Sequence, residues 1–340
     1  MSDVRPFFDA TEIAGDAVDV RGRFDRDGYL FVRGLLPPPV VEDLRRQFLP
    51  VLRDSGWIAA DSPATDQVAD PSAFAVEPEP EYQKVYNRLY SLPAFHALQH
   101  RSELMDLMER VLDATVMPQP RVIARVIFPE RTAYTTPAHQ DFVPVQGAAD
   151  TITAWIPLTD LTSEMGGLEI AAGSHLKGVF DFVPALGASG TEISDPLHGT
   201  WVGGTFNQGD VLFFHSMTVH RGAPATGKRL RLSVDLRFQR IADPILPGSL
   251  NPHDPDVSWE QIYAGWVPGQ HQYYWRDWDL NMGEFDTQYN EKRDAMAFEV
   301  AAQGGIEARA TLQRIVARDP DPDKKRKAAE ALAALEAEAS

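Results

Sequence analysis

Cysteine is absent from the 340-residue sequence, which excludes a disulfide framework, a thiolate nucleophile and a cysteine-ligated metal. The sequence also lacks any run of about 18 apolar residues, the length that a membrane-spanning helix requires. Its first residues lack the basic and apolar regions of a secretory signal peptide. Together these absences predict an intracellular protein with a cytoplasmic location.

Basic residues are scarce as well. The 32 lysines and arginines are outnumbered by 49 aspartates and glutamates, so the formal net charge is −17. Phosphate backbones and anionic membrane surfaces both repel such a charge. We therefore expect a small-molecule substrate, with no nucleic acid and no membrane as partner. A homo-oligomer stays open, because the helical sequence at residues 306–338 is either a solvated helix or a dimer contact.

Short β-branched and aromatic segments fill the middle of the chain. They lie at residues 121–128, 151–158, 210–215 and 230–238, and turns rich in Gly, Pro and Asp separate them. Because no long helix intervenes, this pattern indicates an antiparallel sandwich or barrel rather than βαβ units. Before these segments, apolar residues recur at every third or fourth position, which predicts helices.

Two further segments each have two interpretations. Residues 59–80 are rich in Ala, Asp, Pro and Glu, which is typical of a solvated connection or of a mobile flap near a site. Residues 259–278 contain seven Trp and Tyr residues. These aromatic side chains either pack against the β core or line a substrate pocket that faces an apolar or cationic group.

The pair His139 and Asp141 is the strongest candidate for a metal site. Side chains two residues apart point to the same side of an extended segment, so an imidazole and a carboxylate can converge on one ion. A third ligand must come from a distant part of the chain. His215, at a strand end, can be a buried core histidine, whereas His220 leads into a turn and precedes a strand that carries arginines.

Two imidazoles and one carboxylate leave three positions open on an octahedral ion, a pattern typical of non-haem Fe(II) oxygenases. An arginine can bind a terminal carboxylate through two parallel hydrogen bonds. The charges of Fe(II), Asp141, a dicarboxylate co-substrate and one arginine sum to zero, which favours burial of the whole group.

The sequence resembles the phytanoyl-CoA dioxygenase family of Fe(II)/2-oxoglutarate oxygenases over roughly residues 24–240. The motifs that carry the resemblance follow the family's order and lie at residues 24–36, 139–141, 155–160, 166–175, 209–215 and 220–233. The resemblance implies a mainly β fold with helical additions, that is, a double-stranded β-helix (jelly-roll) core flanked by N- and C-terminal helices. We predict one oxygenase domain over residues 1–340, with a mainly helical part at 1–118, the jelly-roll core at 119–240, and an aromatic-rich loop and helices at 241–340.

The resemblance also implies the residues of the site. It places the iron ligands at His139, Asp141 and His220, and the 2-oxoglutarate carboxylate anchor at Arg231, eleven residues after His220. Arg229 is the alternative anchor, two residues away. Ser233 resembles the hydroxyl that accompanies such arginines, and Trp155 is expected to flank the co-substrate.

The implied activity couples oxidative decarboxylation of 2-oxoglutarate by O2, which yields succinate and CO2, to oxidation of a substrate C–H bond. Hydroxylation is the default outcome, and desaturation, epimerisation and ring formation use the same ligands. Because Asp141 is present, a halogenase that replaces this carboxylate is disfavoured. A cupin-like isomerase or lyase without oxygenase activity and a catalytically silent binding module remain the alternatives from other classes.

Overall fold

Two facing β-sheets form the centre of the fold in the computed structural model, which describes residues 4–269 and 271–338. The strands are β1 (Arg5–Pro6), β2 (Tyr29–Val32), β3 (Val116–Pro118), β4 (Ile123–Ile127), β5 (Ile152–Pro157), β6 (Leu168–Ala171), β7 (Phe182–Pro184), β8 (Thr191–Ile193), β9 (Trp201–Gly203), β10 (Val211–His215), β11 (His220–Gly222) and β12 (Arg231–Arg240). The helices are α1 (Ala17–Asp27), α2 (Pro38–Asp54), α3 (Pro80–Tyr90), α4 (Pro93–Ala97), α5 (Ser102–Leu112), α6 (Phe142–Val145), α7 (Pro247–Leu250), α8 (Trp259–Ile262), α9 (Gln288–Ala301), α10 (Arg309–Arg318) and α11 (Pro322–Glu338).

The larger sheet has the strand order β2-β10-β5-β12-β3, and β4 also pairs with β12. The smaller sheet has the order β1-β9-β6-β11, and β7 pairs with β8 as a separate hairpin. All of these pairings are antiparallel except the one between β1 and β9. Neighbours in both sheets are distant in sequence, so the layers are interleaved rather than stacked in chain order.

The space between the two sheets is filled by large apolar side chains. The larger sheet contributes Tyr29, Phe31, Trp155, Leu212 and Phe214, and the smaller sheet contributes Leu168, Ile170 and Val202. Alternate residues such as Leu30 and Phe213 point to the outer face of the larger sheet and pack with the helices, as the two-residue period of a strand requires. This arrangement confirms the prediction of a double-stranded β-helix core with helical additions, in which the sheets face one another without closing into a barrel.

Helices cover the outer face of the larger sheet because each presents an apolar stripe. In α2, Val41, Leu44, Phe48 and Leu52 are buried at helical spacing, and Pro38 occupies the first turn, where its missing N–H costs nothing. Each fully buried side chain of this size contributes roughly 1.5–3 kcal/mol. Among the described residues, none of the helices is at once long and apolar enough to cross a membrane.

The aromatic residues of segment 259–278 pack as part of the main core. Trp259, Trp266 and Trp275 are 5–8% exposed. The rings of Trp259 and Trp266 lie 5.9 and 5.1 Å from that of His96, which is buried in α4. The packing interpretation of this segment therefore agrees with the structure.

Candidate metal centre

A backbone bridge brings His139 and His220 together. The N–H of His139 donates to the carbonyl of His220 at 3.0 Å, and the N–H of His220 donates back at 3.0 Å. The two imidazole centroids are consequently 4.2 Å apart. Because His220 opens β11, which pairs with β6, the smaller sheet positions both histidines.

Asp141 reaches the same point through a bend and not through a strand. The expected extended segment is reduced to the single bridge at His139, and Asp141 has helical dihedral angles (φ −66°, ψ −32°) at the start of α6. The expectation of one extended segment was therefore wrong at Asp141, although both side chains converge. The Asp141 Oδ1 atom lies 3.9 Å from the Nε2 atoms of both His139 and His220.

The amide of Gln140, which lies between the two ligand candidates, holds this bend in place. Its Nε2 donates to the carbonyls of Gly178 and Met217 at 2.9 and 2.6 Å, and its Oε1 accepts from the N–H of Phe180 at 2.9 Å. Gln140 is buried and its amide is hydrogen-bonded on one side of the segment. The side chains of His139 and Asp141 therefore point to the opposite side.

The three side chains fit a divalent ion. The Nδ1 atoms of His139 and His220 lie 2.8 and 3.1 Å from the backbone carbonyls of Pro137 and Thr218. Since carbonyls only accept, both Nδ1 atoms carry the proton and both Nε2 lone pairs are available. One ligand atom from each residue lies within 4.8 Å of the others, and among the described residues this is the one such group. Atoms about 2.1 Å from one ion are at most about 4.2 Å apart, so a small closing movement suffices.

Two donors hold the other carboxylate oxygen of Asp141. Arg237 Nη2 and Thr153 Oγ1 donate to Oδ2 at 3.1 and 2.9 Å, which leaves Oδ1 facing the histidines. Burial raises the pKa of Asp141, but the Arg237 charge, the two histidines and the Thr153 hydroxyl outweigh burial and hold that pKa well below its usual range. The carboxylate is therefore ionised.

Both histidines are held neutral. Burial, and next the nearby His220, lower the pKa of His139 to about 3, and burial likewise lowers the pKa of His220. A metal binds the neutral imidazole, so no proton has to be displaced from either ring near neutral pH.

A cavity of about 250 Å³ opens beside His139 and Asp141. Strand β12 supplies Arg237 to its wall, and the segment before α3 supplies Glu77. The polar 59–80 segment is therefore more than a solvated connection, because its end at residues 74–77 lines space near the candidate centre.

The predicted co-substrate residues lie along β12 and β5 on the inner side of the larger sheet. Arg231 lines a smaller cavity that shares Glu77 and Arg125 with the first. Its guanidinium carbon lies 6.0 Å from the ring of Trp155, and its Nη1 donates only to the carbonyls of Gly166 and Gly167.

Arg231 and Ser233 have unused hydrogen-bonding capacity. The Arg231 Nε and the Ser233 Oγ atoms are buried without a partner, and burial lowers the pKa of Arg231 to about 10. By contrast, Arg229 lies before β12, where its Nε donates to the carbonyl of Asp66. His215 is engaged elsewhere, with its Nε2 3.5 Å from Asp150. Neither of these two alternatives joins the cluster.

The family model of phytanoyl-CoA dioxygenase matches residues 24–233. The chain belongs to the phytanoyl-CoA dioxygenase family. It is accordingly a non-haem oxygenase that uses Fe(II), 2-oxoglutarate and O2 to oxidise a small molecule. The family match ends within β12, so Arg237 and the later residues that line the cavity lie outside the matched region.

The relatives of this chain include hydroxylases. The chain is 28% identical over 252 residues to the 1-deoxypentalenic acid 11-beta-hydroxylase of Streptomyces exfoliatus, and the alignment covers 68% of this chain and 84% of that protein. It is 24% identical to the L-proline trans-4-hydroxylase of Streptomyces griseoviridis, covering 71% and 95%. The crystal structure of EvdO2 from Micromonospora carbonacea var. aurantiaca with 2-oxoglutarate aligns with a TM-score of 0.46 at 18% identity, over 65% of this chain and 89% of that one.

Sequence reasoning missed Arg237, Thr153 and Gln140. A signal for Arg237 was present, because polar side chains occupy every second position from Arg231 to Arg237 while apolar ones alternate with them. That period places all four polar side chains on one face of a strand. In a member of this family, a polar face on a strand of this kind predicts side chains that line the interior of the jelly roll.

Proposed function

We propose that this chain is a hydroxylase in which His139, Asp141 and His220 hold Fe(II) on one face. The observation that carries the proposal is the convergence of two free Nε2 atoms and one carboxylate oxygen within 4.8 Å. Two imidazoles and one carboxylate leave open positions for co-substrate and O2 on a six-coordinate ion.

We propose Arg231 as the anchor for the distal carboxylate of 2-oxoglutarate, with Ser233 as a second donor and Trp155 as a flanking wall. The buried and unpartnered Nε and Oγ atoms support this role, since buried polar groups without partners are rare unless a ligand satisfies them. Trp155 is 2% exposed and packs edge-on against Phe206 at 4.8 Å, so its ring forms a fixed surface.

When bound, Fe(II) with 2-oxoglutarate and O2 supplies the oxidation of a substrate C–H bond, together with succinate and CO2. The contribution of the protein is positioning. Arg237 and Thr153 fix the orientation of Asp141, and the carbonyls of Pro137 and Thr218 fix the tautomers of the histidines. The apolar layer between the sheets excludes water from the end of the site near Trp155.

We also propose that residues 1–340 act as one oxygenase domain in the cytoplasm on a small molecule, without a nucleic-acid partner. The net charge of −17 supports the absence of nucleic-acid binding. The wall of the site supports the single domain, because its residues come from both sides of the jelly-roll strands, from Glu77 to Arg318.

The test is anaerobic addition of Fe(II) and 2-oxoglutarate to the purified chain, followed by O2. We expect an absorption band from bidentate chelation and slow release of succinate, with a substrate product heavier by one oxygen atom once a substrate is found. Asp141→Ala should abolish turnover, whereas His215→Ala, in folded protein, should retain the band. Absence of both band and succinate would overturn the proposal, and a product lacking the added oxygen would favour desaturation, epimerisation or ring formation.

A further inference from the structure

Arginines are concentrated in the cavity beside the candidate metal centre, although the chain as a whole is strongly acidic. Six of them line the cavity: Arg121, Arg125, Arg237, Arg293, Arg314 and Arg318. Four of these, Arg237 on β12, Arg293 on α9, and Arg314 and Arg318 on α10, lie beyond residues 24–233 that the family model matches. Most of the basic wall therefore lies outside the matched family region.

Half of these arginines are neutralised within the protein. Arg125 pairs with Glu77 and Asp235 at 2.8 and 3.2 Å. Arg237 pairs with Asp141, and Arg293 pairs with its neighbour Asp294. These three guanidinium groups have structural partners and are not available to neutralise a ligand.

Arg121 and Arg314 differ, because among the described residues neither has a carboxylate within ion-pair distance. Arg121 donates to the carbonyl of Gly248 at 3.2 Å and contacts His253 Nδ1 at 3.3 Å, while its Nε is buried without a partner. Arg314 donates to the carbonyl of Ala188 at 3.2 Å. A guanidinium has five N–H donors, so both groups retain capacity for a ligand.

Arg318 adds a third positive charge at the mouth of the cavity. It lines both the cavity and an open groove toward solvent, and Arg121 and His253 border both as well. Burial and neighbouring guanidinium groups, Arg318 among them, lower the pKa of Arg121 and of Arg314. Like charges held together in a cavity repel one another and are stable only with a counter-charge.

We propose that this arginine cluster (Arg121, Arg314 and Arg318) binds an anionic group, a carboxylate or a phosphate, of the substrate that is oxidised at the metal centre. Charge-assisted hydrogen bonds from guanidinium to an oxyanion are strong and directional. The cluster would hold the anionic end near the mouth, with the carbon skeleton extending toward His139 and Asp141. The cationic substrate that the aromatic segment had left open is disfavoured by the same charges.

This inference rests on the proposed function for the identity of the reaction, but the anion site is measurable on its own. Calorimetry on the full chain, loaded anaerobically with Fe(II) and saturating 2-oxoglutarate, would compare phenyl phosphate, phenylacetate and the neutral phenylacetamide. We expect at least one anionic probe to bind about tenfold or more tightly than the amide. The tighter of the two anions identifies the source of the charge.

Variants locate the site. Arg314→Gln and Arg121→Gln should each weaken binding of the anionic probe about tenfold, with partial recovery in Arg314→Lys. Arg326→Gln, on the exposed side of α11, is the matched control because Arg326 pairs only with Asp323 and Glu330 on its own helix. Should either of the first two fail to fold, Arg318→Gln at the mouth, where the side chain is half-buried, tests the same charge.

Two results would overturn the inference: equal affinity for charged and neutral probes, or equal weakening of phenyl phosphate and 2-oxoglutarate by Arg314→Gln. The second would assign the cluster to the co-substrate. If the unmodified chain shows no 2-oxoglutarate absorption band but binds the anionic probe in an arginine-dependent way, the proposed oxygenase is refuted and the anion site is supported.

Discussion

Replacement of Arg237 by Gln separates the two effects that this residue has on Asp141. Arg237 orients the carboxylate by donating to Oδ2 at 3.1 Å, and it places a positive charge beside the position of a metal ion. Thr153→Val is the matched variant, because it removes the 2.9 Å hydrogen bond to the same oxygen without changing the charge. Both residues are buried.

The magnitudes decide which effect of Arg237 is larger. Loss of a residue that orients a metal ligand typically weakens metal binding about 10–100-fold. Repulsion between a guanidinium and a divalent ion about 6 Å away is about 5 kcal/mol at an effective dielectric constant near 20. The relief of repulsion exceeds the loss of orientation by about 2–4 kcal/mol, so we expect Arg237→Gln to bind the ion more tightly by a factor of about 50 or more.

Metal-free Arg237→Gln should be less stable than the unmodified chain, although it binds metal more tightly. Removal of one partner from a buried ion pair costs about 3–5 kcal/mol, so metal-free Arg237→Gln should unfold at a lower urea concentration than the unmodified chain. Thr153→Val should lose about 1.5 kcal/mol of stability and bind metal about tenfold more weakly.

The assay is anaerobic calorimetric titration with Fe(II), repeated with Mn(II), alongside urea unfolding of the metal-free proteins. Equal weakening of metal binding by Arg237→Gln and Thr153→Val would refute the charge argument and leave orientation as the only role of Arg237. Unchanged metal affinity in both variants would refute the placement of the ion beside Asp141.

Three further predictions concern the metal ligands, the buried His96 and Gly166. Asp141→Ala should abolish substrate-dependent succinate release, and His215→Ala should lower thermal stability while keeping metal affinity; the reverse pattern would exchange their roles. Burial lowers the pKa of His96 to about 4 from an ordinary 6.5. The contribution of neutral His96 to stability is therefore complete above pH 6.5 and is lost, by about 3 kcal/mol, as the pH drops toward 4. The urea midpoint of His96→Gln should depend less on pH than that of the unmodified chain, and an unchanged pH dependence would contradict this. Gly166→Ala should destabilise the chain by at least about 1 kcal/mol, because φ is +66° and the added Cβ would clash with the Ala223 carbonyl oxygen. Calorimetric melting measures the effect, and an unchanged melting temperature would show that the loop adapts to the added methyl group.

The jelly-roll strands were predictable where apolar and β-branched residues are continuous. The segment at 151–158 contains β5 (Ile152–Pro157), and that at 230–238 contains most of β12. Short strands such as β9, with three residues, have too few side chains to show a period. The four-residue helix α6 was invisible for the same reason.

The metal cluster was predictable from residue types, but its geometry was not. His139 and Asp141 were expected on one extended segment, whereas a bend fixed by Gln140 brings them together. Such a bend depends on carbonyls of Gly178 and Met217, which lie far along the chain, and local propensity contains no information about them. The arginine cluster was hidden similarly, because Arg121 and Arg314 are 193 positions apart and meet only through packing of α10.

The position of β2 in the larger sheet has a consequence for how the chain folds. Phe31 pairs with Leu212, 181 positions later, so this edge of the sheet closes only after most of the chain has left the ribosome. Contacts of such long sequence separation require a large loss of chain entropy before the paired strands contribute favourable free energy. Such contacts therefore slow folding. Until then the apolar Tyr29–Val32 segment lacks its partner strand and is a candidate for chaperone binding during synthesis.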